Sequence, residues 1–144
     1  MGANSSELLD VYQKQVRSIL EMAVPVWEPG LTKEETKQIE RVQKTALFII
    51  LGDDHVDYKH SLDVLGCETL QERREQICLK FAKNALKHPK FKNWFCPSEP
   101  VIRPKPNTRL PKEEPTRFKP VPFRTDRFRD SPLPYLTDCL NVKE

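Results

Sequence analysis

The 144 residues predict an all-α fold: a small bundle of three longer helices plus a short helix, followed by a Pro-rich, largely extended tail. Three observations carry this. Apolar residues recur at three- and four-residue steps through the first two thirds of the chain, with no sustained two-residue alternation. Two capping boxes, Thr32-Lys33-Glu34-Glu35 and Thr69-Leu70-Gln71-Glu72, mark helix starts. Of the 13 Pro, ten fall in residues 97–144 and only Pro25, Pro29 and Pro89 come earlier, so helix breakers gather at one end.

The first helix is expected from about Ser6 to Trp27. Leu9, Tyr12, Val16, Ile19, Leu20, Ala23 and Trp27 share one face. Asn4, Ser5 and Ser6 offer capping oxygens, and Pro25 should kink or end the helix near Val24. The second, Thr32 to Leu51, carries the stripe Ile39, Val42, Ala46, Ile49 and Ile50, with Gly52 as its left-handed stop. Residues 53–57 read as a loop. A short helix from about Tyr58 to Leu65 turns Leu62 and Leu65 inward and stops at Gly66. The last long helix opens at Thr69 and runs to about Lys87, with Leu70, Ile77, Phe81 and Leu86 as its stripe and Cys78 and Ala85 flanking it. Phe91, Trp94 and Phe95 suggest a final aromatic turn.

Composition divides the chain into a helical domain, residues 1–96, and a basic tail, residues 97–144. The first holds 14 Lys+Arg against 14 Asp+Glu, and the second 10 against 7, which supplies the whole net charge of +3. A Pro-rich polar tail buries too little apolar surface to offset chain entropy. The longest apolar run, Ala46 to Leu51, is far short of the ~20 residues of a membrane span, so no membrane partner is expected. The opening residues lack the basic and apolar regions of a secretory signal. The expected setting is intracellular, cytoplasmic or nuclear, with the four Cys as reduced thiols.

Two helix faces are basic in a patterned way. Lys33, Lys37, Arg41 and Lys44 step by four, four and three; Arg73, Gln76, Lys80, Lys83, Lys87 and Lys90 continue the same rhythm on the last long helix. Such rows can follow a phosphate backbone, each cation displacing a counterion. A solvated polar face gives the same pattern. Arg74 falls on the stripe of Leu70 and Ile77 and reads as a structural arginine paired with a carboxylate, whereas Arg73 points away and is the better phosphate candidate. In the tail, nine Lys+Arg in residues 101–129 interleave with Phe118, Phe123 and Phe128 at five-residue steps. That pattern suits single-stranded nucleic acid, or phenylalanines docked onto the chain's own core.

Other chemistry finds little support. Asp53-Asp54-His55-Val56-Asp57 lacks the alternation and central Gly of a calcium loop and a second ligand at zinc spacing, so no metal is expected. Cys67, Cys78, Cys96 and Cys139 match no zinc pattern, and Cys78 reads as a small core residue. Met1-Gly2-Ala3-Asn4-Ser5-Ser6 formally fits an N-myristoylation signal without basic support nearby. No Gly-rich phosphate loop, nucleophile elbow or spaced acid–base pair is present, so neither a cofactor nor catalysis is expected.

Several strings, taken in order, resemble a known family. They are Leu9-Asp10-Val11-Tyr12 through Glu21, Val24-Pro25-Val26-Trp27, Ile39-Glu40-Arg41-Val42-Gln43-Lys44-Thr45-Ala46 and Ile49-Ile50-Leu51-Gly52. Thr69-Leu70-Gln71-Glu72-Arg73-Arg74, Cys78-Leu79-Lys80-Phe81-Ala82, His88-Pro89-Lys90-Phe91 and Arg127 through Thr137 continue them. Together they resemble the C-terminal, thumb and post-thumb region of non-LTR, jockey- or CR1-like retrotransposon reverse transcriptases. The resemblance covers nearly all of the chain except about residues 97–125. It implies a helical bundle that grips a template–primer duplex, with RNA or an RNA–DNA duplex as partner. It also implies a non-catalytic segment, because palm carboxylates able to hold two metal ions on a strand hairpin are missing from this sequence. The candidate contacts are Lys33, Lys37, Arg41, Lys44, Arg73, Lys80, Lys83 and Lys87. The alternative is a helical protein-interaction module whose apolar bundle face receives a partner.

Overall fold

The computed structural model describes residues 4–98 and 117–142. Helices account for every regular element among them, so the all-α expectation holds. Helix α1 (Ser5–Val11) begins where the Glu7 carboxylate accepts the Asn4 N–H at 3.2 Å. It runs into a π-helical segment, Tyr12–Arg17, and then α2 (Ser18–Leu20). Helix α3 (Val24–Trp27) restarts after Ala23, whose φ of 55° is left-handed. The expected break near Val24 therefore falls slightly earlier. A proline ring collides with the carbonyl four residues before it, here that of Glu21, so the helix ends before Pro25 and Pro25 enters the first turn of α3.

Helix α4 (Lys33–Leu51) is the longest element. Its capping box forms as the sequence predicts: the Thr32 hydroxyl accepts from Glu35 N at 3.3 Å, and the Glu35 carboxylate accepts from Thr32 N at 2.8 Å. Gly52 ends it with a φ of 55°. Helix α5 (Tyr58–Leu65) is capped by Asp57, which accepts from His60 N at 2.6 Å, and stopped by left-handed Gly66. Helix α6 (Leu70–Lys87) opens with the Thr69–Glu72 box: Glu72 N donates to the Thr69 hydroxyl, and Thr69 N to the Glu72 carboxylate, each at 3.2 Å.

The chain divides into two compact units, Met1–Ile77 and Cys78–Glu144. In the first, Tyr12, Leu47 and Ile50 form the buried cluster, and Leu8, Leu9, Ala46, Tyr58, Leu62 and Leu65 pack against it. A buried amide organises this core. Gln43 Oε1 accepts from the Tyr12 hydroxyl at 2.8 Å, and Gln43 Nε2 donates to the Glu68 carbonyl at 2.8 Å and the Tyr58 hydroxyl at 3.2 Å. The Tyr58 hydroxyl in turn donates to Glu40, whose Oε1 also accepts from Leu70 N at 3.3 Å. Burial and the Glu40 carboxylate push the Tyr58 phenol above its ordinary range.

The expected stripes are rotated. On α4, Val42 and Ile49 face solvent while Gln43, Leu47 and Ile50 are buried. On α6 the buried line is Leu70, Arg74, Cys78, Ala82 and Ala85, and Phe81 stays exposed. In the first helical rod Val16 and Ile19 are exposed. There the π-helical segment has wider turns, so residues beyond it no longer keep the face that a 3.6-residue period assigns.

The second unit corrects the reading of the tail as merely extended. It contains α7 (Asp126–Arg129) and α8 (Pro132–Val142). Pro132 and Pro134 sit in the first turn of α8, where a missing N–H leaves nothing unpaired. Leu136, Cys139 and Leu140 of that helix are buried. Asn141 bonds both backbone groups of Phe118, at 3.0 and 3.1 Å, and the Phe118 ring meets Phe95 edge-on with centroids 6.1 Å apart. An antiparallel bridge joins Pro97 to Phe118. These contacts tie the tail to residues after Cys78, which is why the division lies inside α6 rather than between the expected domains 1–96 and 97–144.

Two predictions follow from the caps and the buried amide. Replacing Gln43 by Leu orphans the Tyr12 hydroxyl and the Glu68 carbonyl, and should lower unfolding free energy by ~2–4 kcal/mol in urea denaturation. Adding Tyr12→Phe should recover part of that loss. Bonds from the Thr32 backbone and hydroxyl hold the Glu35 carboxyl below its usual 4.5. A depressed carboxyl stabilises the fold above its unfolded value, and that support disappears as pH falls through its lower folded value. Thr32→Ala should therefore lower Tm at neutral pH, and its difference from wild type should shrink as the pH drops below about 4.5.

Candidate nucleic-acid interface

The buried side of α4, marked by Gln43, Leu47 and Ile50, decides where its other residues point. At 100° per residue, Lys33, Lys37, Arg41 and Lys44 fall within roughly 80° of one another, on a flank centred about 110° from that side. All four are exposed. Lys37 has Glu34 at 3.6 Å, a solvent-screened contact, and the other three make no ion pair with a described residue. The row is about 16 Å long at 1.5 Å per residue. That length can reach a few consecutive phosphates of one strand. Phe48 continues the same row one turn further and lies edge-on to His55, centroids 5.0 Å apart.

The row on α6 is less uniform. Lys80, Lys83 and Lys87 are exposed and make no ion pair with a described residue. Arg73 is engaged: its Nε and Nη2 donate to the two Glu21 carboxylate oxygens at 2.5 and 3.1 Å, and Glu68 lies 4.0 Å away. The hydrogen bonds it donates to Glu21 hold the guanidinium firmly protonated, and its charge is largely answered within the protein. Arg73 is thus a brace between Glu21 and α6, a role that no local pattern signals because the partner is 52 residues away. Gln76 on the same row bonds Glu68 at 3.2 Å.

Arg74 takes the structural role its stripe position suggests. Its side chain is fully buried, and Nε donates to Glu28 at 2.6 Å. The guanidinium carbon lies 6.0 Å from the Trp27 ring centroid, while both terminal nitrogens are buried without a hydrogen-bond partner. Burial pushes the Glu28 carboxyl up, against the opposing pull of Arg74.

The remaining candidates resolve into local roles. Asp57 caps α5, and His55 Nδ1 lies 2.7 Å from the Ser61 hydroxyl, which donates to the Asp57 carbonyl. Ser61 is fully buried, out of reach of a substrate. Among the described residues no group of three or more His, Cys, Asp or Glu is placed to hold a metal ion, and no helix is long and apolar enough to cross a membrane. Cys78 is buried, as read. The tail cations Arg103, Lys105, Arg109 and Lys112, and the Gly2 of the acylation motif, lie outside the described residues.

No protein-family model matches the chain, and neither a curated protein nor a solved structure matches it significantly.

Because Arg74 is buried against Glu28, removing it strands a carboxylate. Arg74→Ala should lower stability by ~3–5 kcal/mol in chemical denaturation, and Arg74→Met combined with Glu28→Leu should lose much less.

Proposed function

We propose that this chain is a non-catalytic, thumb-like grip for nucleic acid, related to the C-terminal region of a non-LTR retrotransposon reverse transcriptase, and that it holds an RNA or RNA–DNA duplex along α4. The supporting observation is the row Lys33, Lys37, Arg41 and Lys44. It lies along one flank of a long, doubly capped helix, about 110° round from the side that the core fixes, and among the described residues only a screened Glu34 contact offsets its charge. A rigid row of cations contacts phosphates without reading bases, so sequence-independent binding is expected. Lys80, Lys83 and Lys87 form a second basic row on α6, and Arg73 drops out of the set because Glu21 occupies it.

One observation favours a second reading, a protein-interaction module. Val42 is 42% and Ile49 65% exposed on α4, beside the basic row. An apolar partner would cover these side chains.

An electrophoretic or anisotropy assay on a blunt RNA–DNA duplex separates the two. Lys37→Glu with Arg41→Glu should weaken binding about 10-fold or more, and Ile49→Ser should leave it unchanged. Equal affinity of wild type and the double charge reversal removes α4 as the binding face.

A further inference from the structure

The three phenylalanines spaced at five-residue steps in the tail have different fates. Phe118 is buried against Phe95, with Asn141 holding its backbone. Phe123 and Phe128 remain 52% and 42% exposed. A core that has taken one ring and left two outside has no packing use for the latter. Rings left in water add nothing to the fold and stand open to a ligand.

The charges around these rings are sorted in the same way. Arg129 is occupied, with Asp126 at 3.0 Å and Asp130 at 2.9 Å. Arg124 and Arg127 are exposed and make no ion pair with a described residue. Each stands next to an exposed ring in the chain: Phe123-Arg124 and Arg127-Phe128. The local backbone is set rather than loose. The Thr125 hydroxyl accepts from Phe128 N at 3.3 Å and starts α7, which places the second ring, and the Ser131 hydroxyl donates to the Phe128 carbonyl at 2.6 Å. Five residues reach at most ~17 Å, so a single short strand can meet both rings.

We propose that Phe123, Arg124, Arg127 and Phe128 form a stacking site for unpaired nucleotides: bases lie on the two rings and the two guanidinium groups take the adjoining phosphates. The ligand class, nucleic acid, rests on the function proposed above, but the residues are different ones and the ligand is single-stranded rather than duplex. Exposed rings alternating with unneutralised arginines suit this ligand because every base offers a π-face and every nucleotide a charge. The chain between the rings is polar, Arg124-Thr125-Asp126-Arg127, and the apolar Pro120-Val121-Pro122 adjoins only the first of them. A base paired inside a duplex presents no free face, so a blunt duplex gains nothing from this site.

The test uses the full chain and a fluorescein-labelled twelve-nucleotide oligouridine, read by anisotropy at low salt. Wild type should bind it. Phe123→Leu with Phe128→Leu keeps apolar bulk but removes stacking, and should weaken binding about 10-fold or more; Phe123→Tyr with Phe128→Tyr should stay close to wild type. Arg124→Gln with Arg127→Gln should weaken binding and flatten its salt dependence, a separate readout should the leucine variant unfold. The α4 reversal, Lys37→Glu with Arg41→Glu, should weaken blunt-duplex binding and spare oligouridine. Oligouridine binding that is the same in wild type and the leucine variant overturns the site, as does duplex binding by a wild-type chain that ignores oligouridine. Loss of duplex binding alone, with ring-dependent oligouridine binding intact, counts against the α4 grip and for this site.

Discussion

The side-chain amide of Gln43 is the constraint on which the first unit depends. It is one polar group in the centre of an apolar face, and it bonds three other segments: Tyr12 in the π-helical stretch, Tyr58 on α5 and the Glu68 carbonyl ahead of α6. Leaving a buried polar group unpaired is costly, so the three bonds to this amide fix its partners' positions more narrowly than apolar contact would. Glu40, one turn earlier, extends the set to the Tyr58 hydroxyl and the backbone of Leu70. The rotation of α4 follows directly. With Gln43, Leu47 and Ile50 committed to the interior, Lys33, Lys37, Arg41 and Lys44 stay exposed along a flank that borders it.

This is also where sequence reasoning ran short. Helix limits were legible because they depend on local chemistry. The boxes at Thr32 and Thr69 and the positive-φ Gly52 and Gly66 all lie within a few residues of what they control. Helix rotation was not. The run Ala46 to Leu51 is apolar on all sides, so periodicity alone could not choose Leu47 over Ile49, and a buried glutamine has no apolar signature. On α6 periodicity places Arg74, Cys78 and Ala85 on or beside the buried line, but a search for large apolar side chains chooses Phe81, which is exposed, over its buried neighbour Ala82. The π-helical segment, which shifted Val16 and Ile19, likewise has no clear signal in composition.

The candidate site was read unevenly for the same reason. Exposure of the α4 lysines depends on their own helix and was anticipated. The capture of Arg73 by Glu21 depends on a residue 52 positions away and was not. The tail was read as extended because its composition is rich in proline, yet two of those prolines sit in the first turn of α8. Proline frequency says little about helices when the residue occupies a helix start. Once α8 and Phe118 are recognised as a core, the exposure of Phe123 and Phe128 becomes informative rather than ordinary.

The two basic features differ in what they ask of a ligand. The α4 row is rigid, carries no planar stacking group except Phe48 at its end, and suits the regular phosphate spacing of a duplex. The contact proposed for it is electrostatic, and electrostatic binding has a measurable signature. The most direct measurement is the salt dependence of wild-type affinity for a blunt RNA–DNA duplex between 50 and 200 mM salt. Four phosphate contacts predict that log K falls against log salt with a slope of about −3 to −4. A slope near zero, with affinity unchanged across that range, would contradict the account.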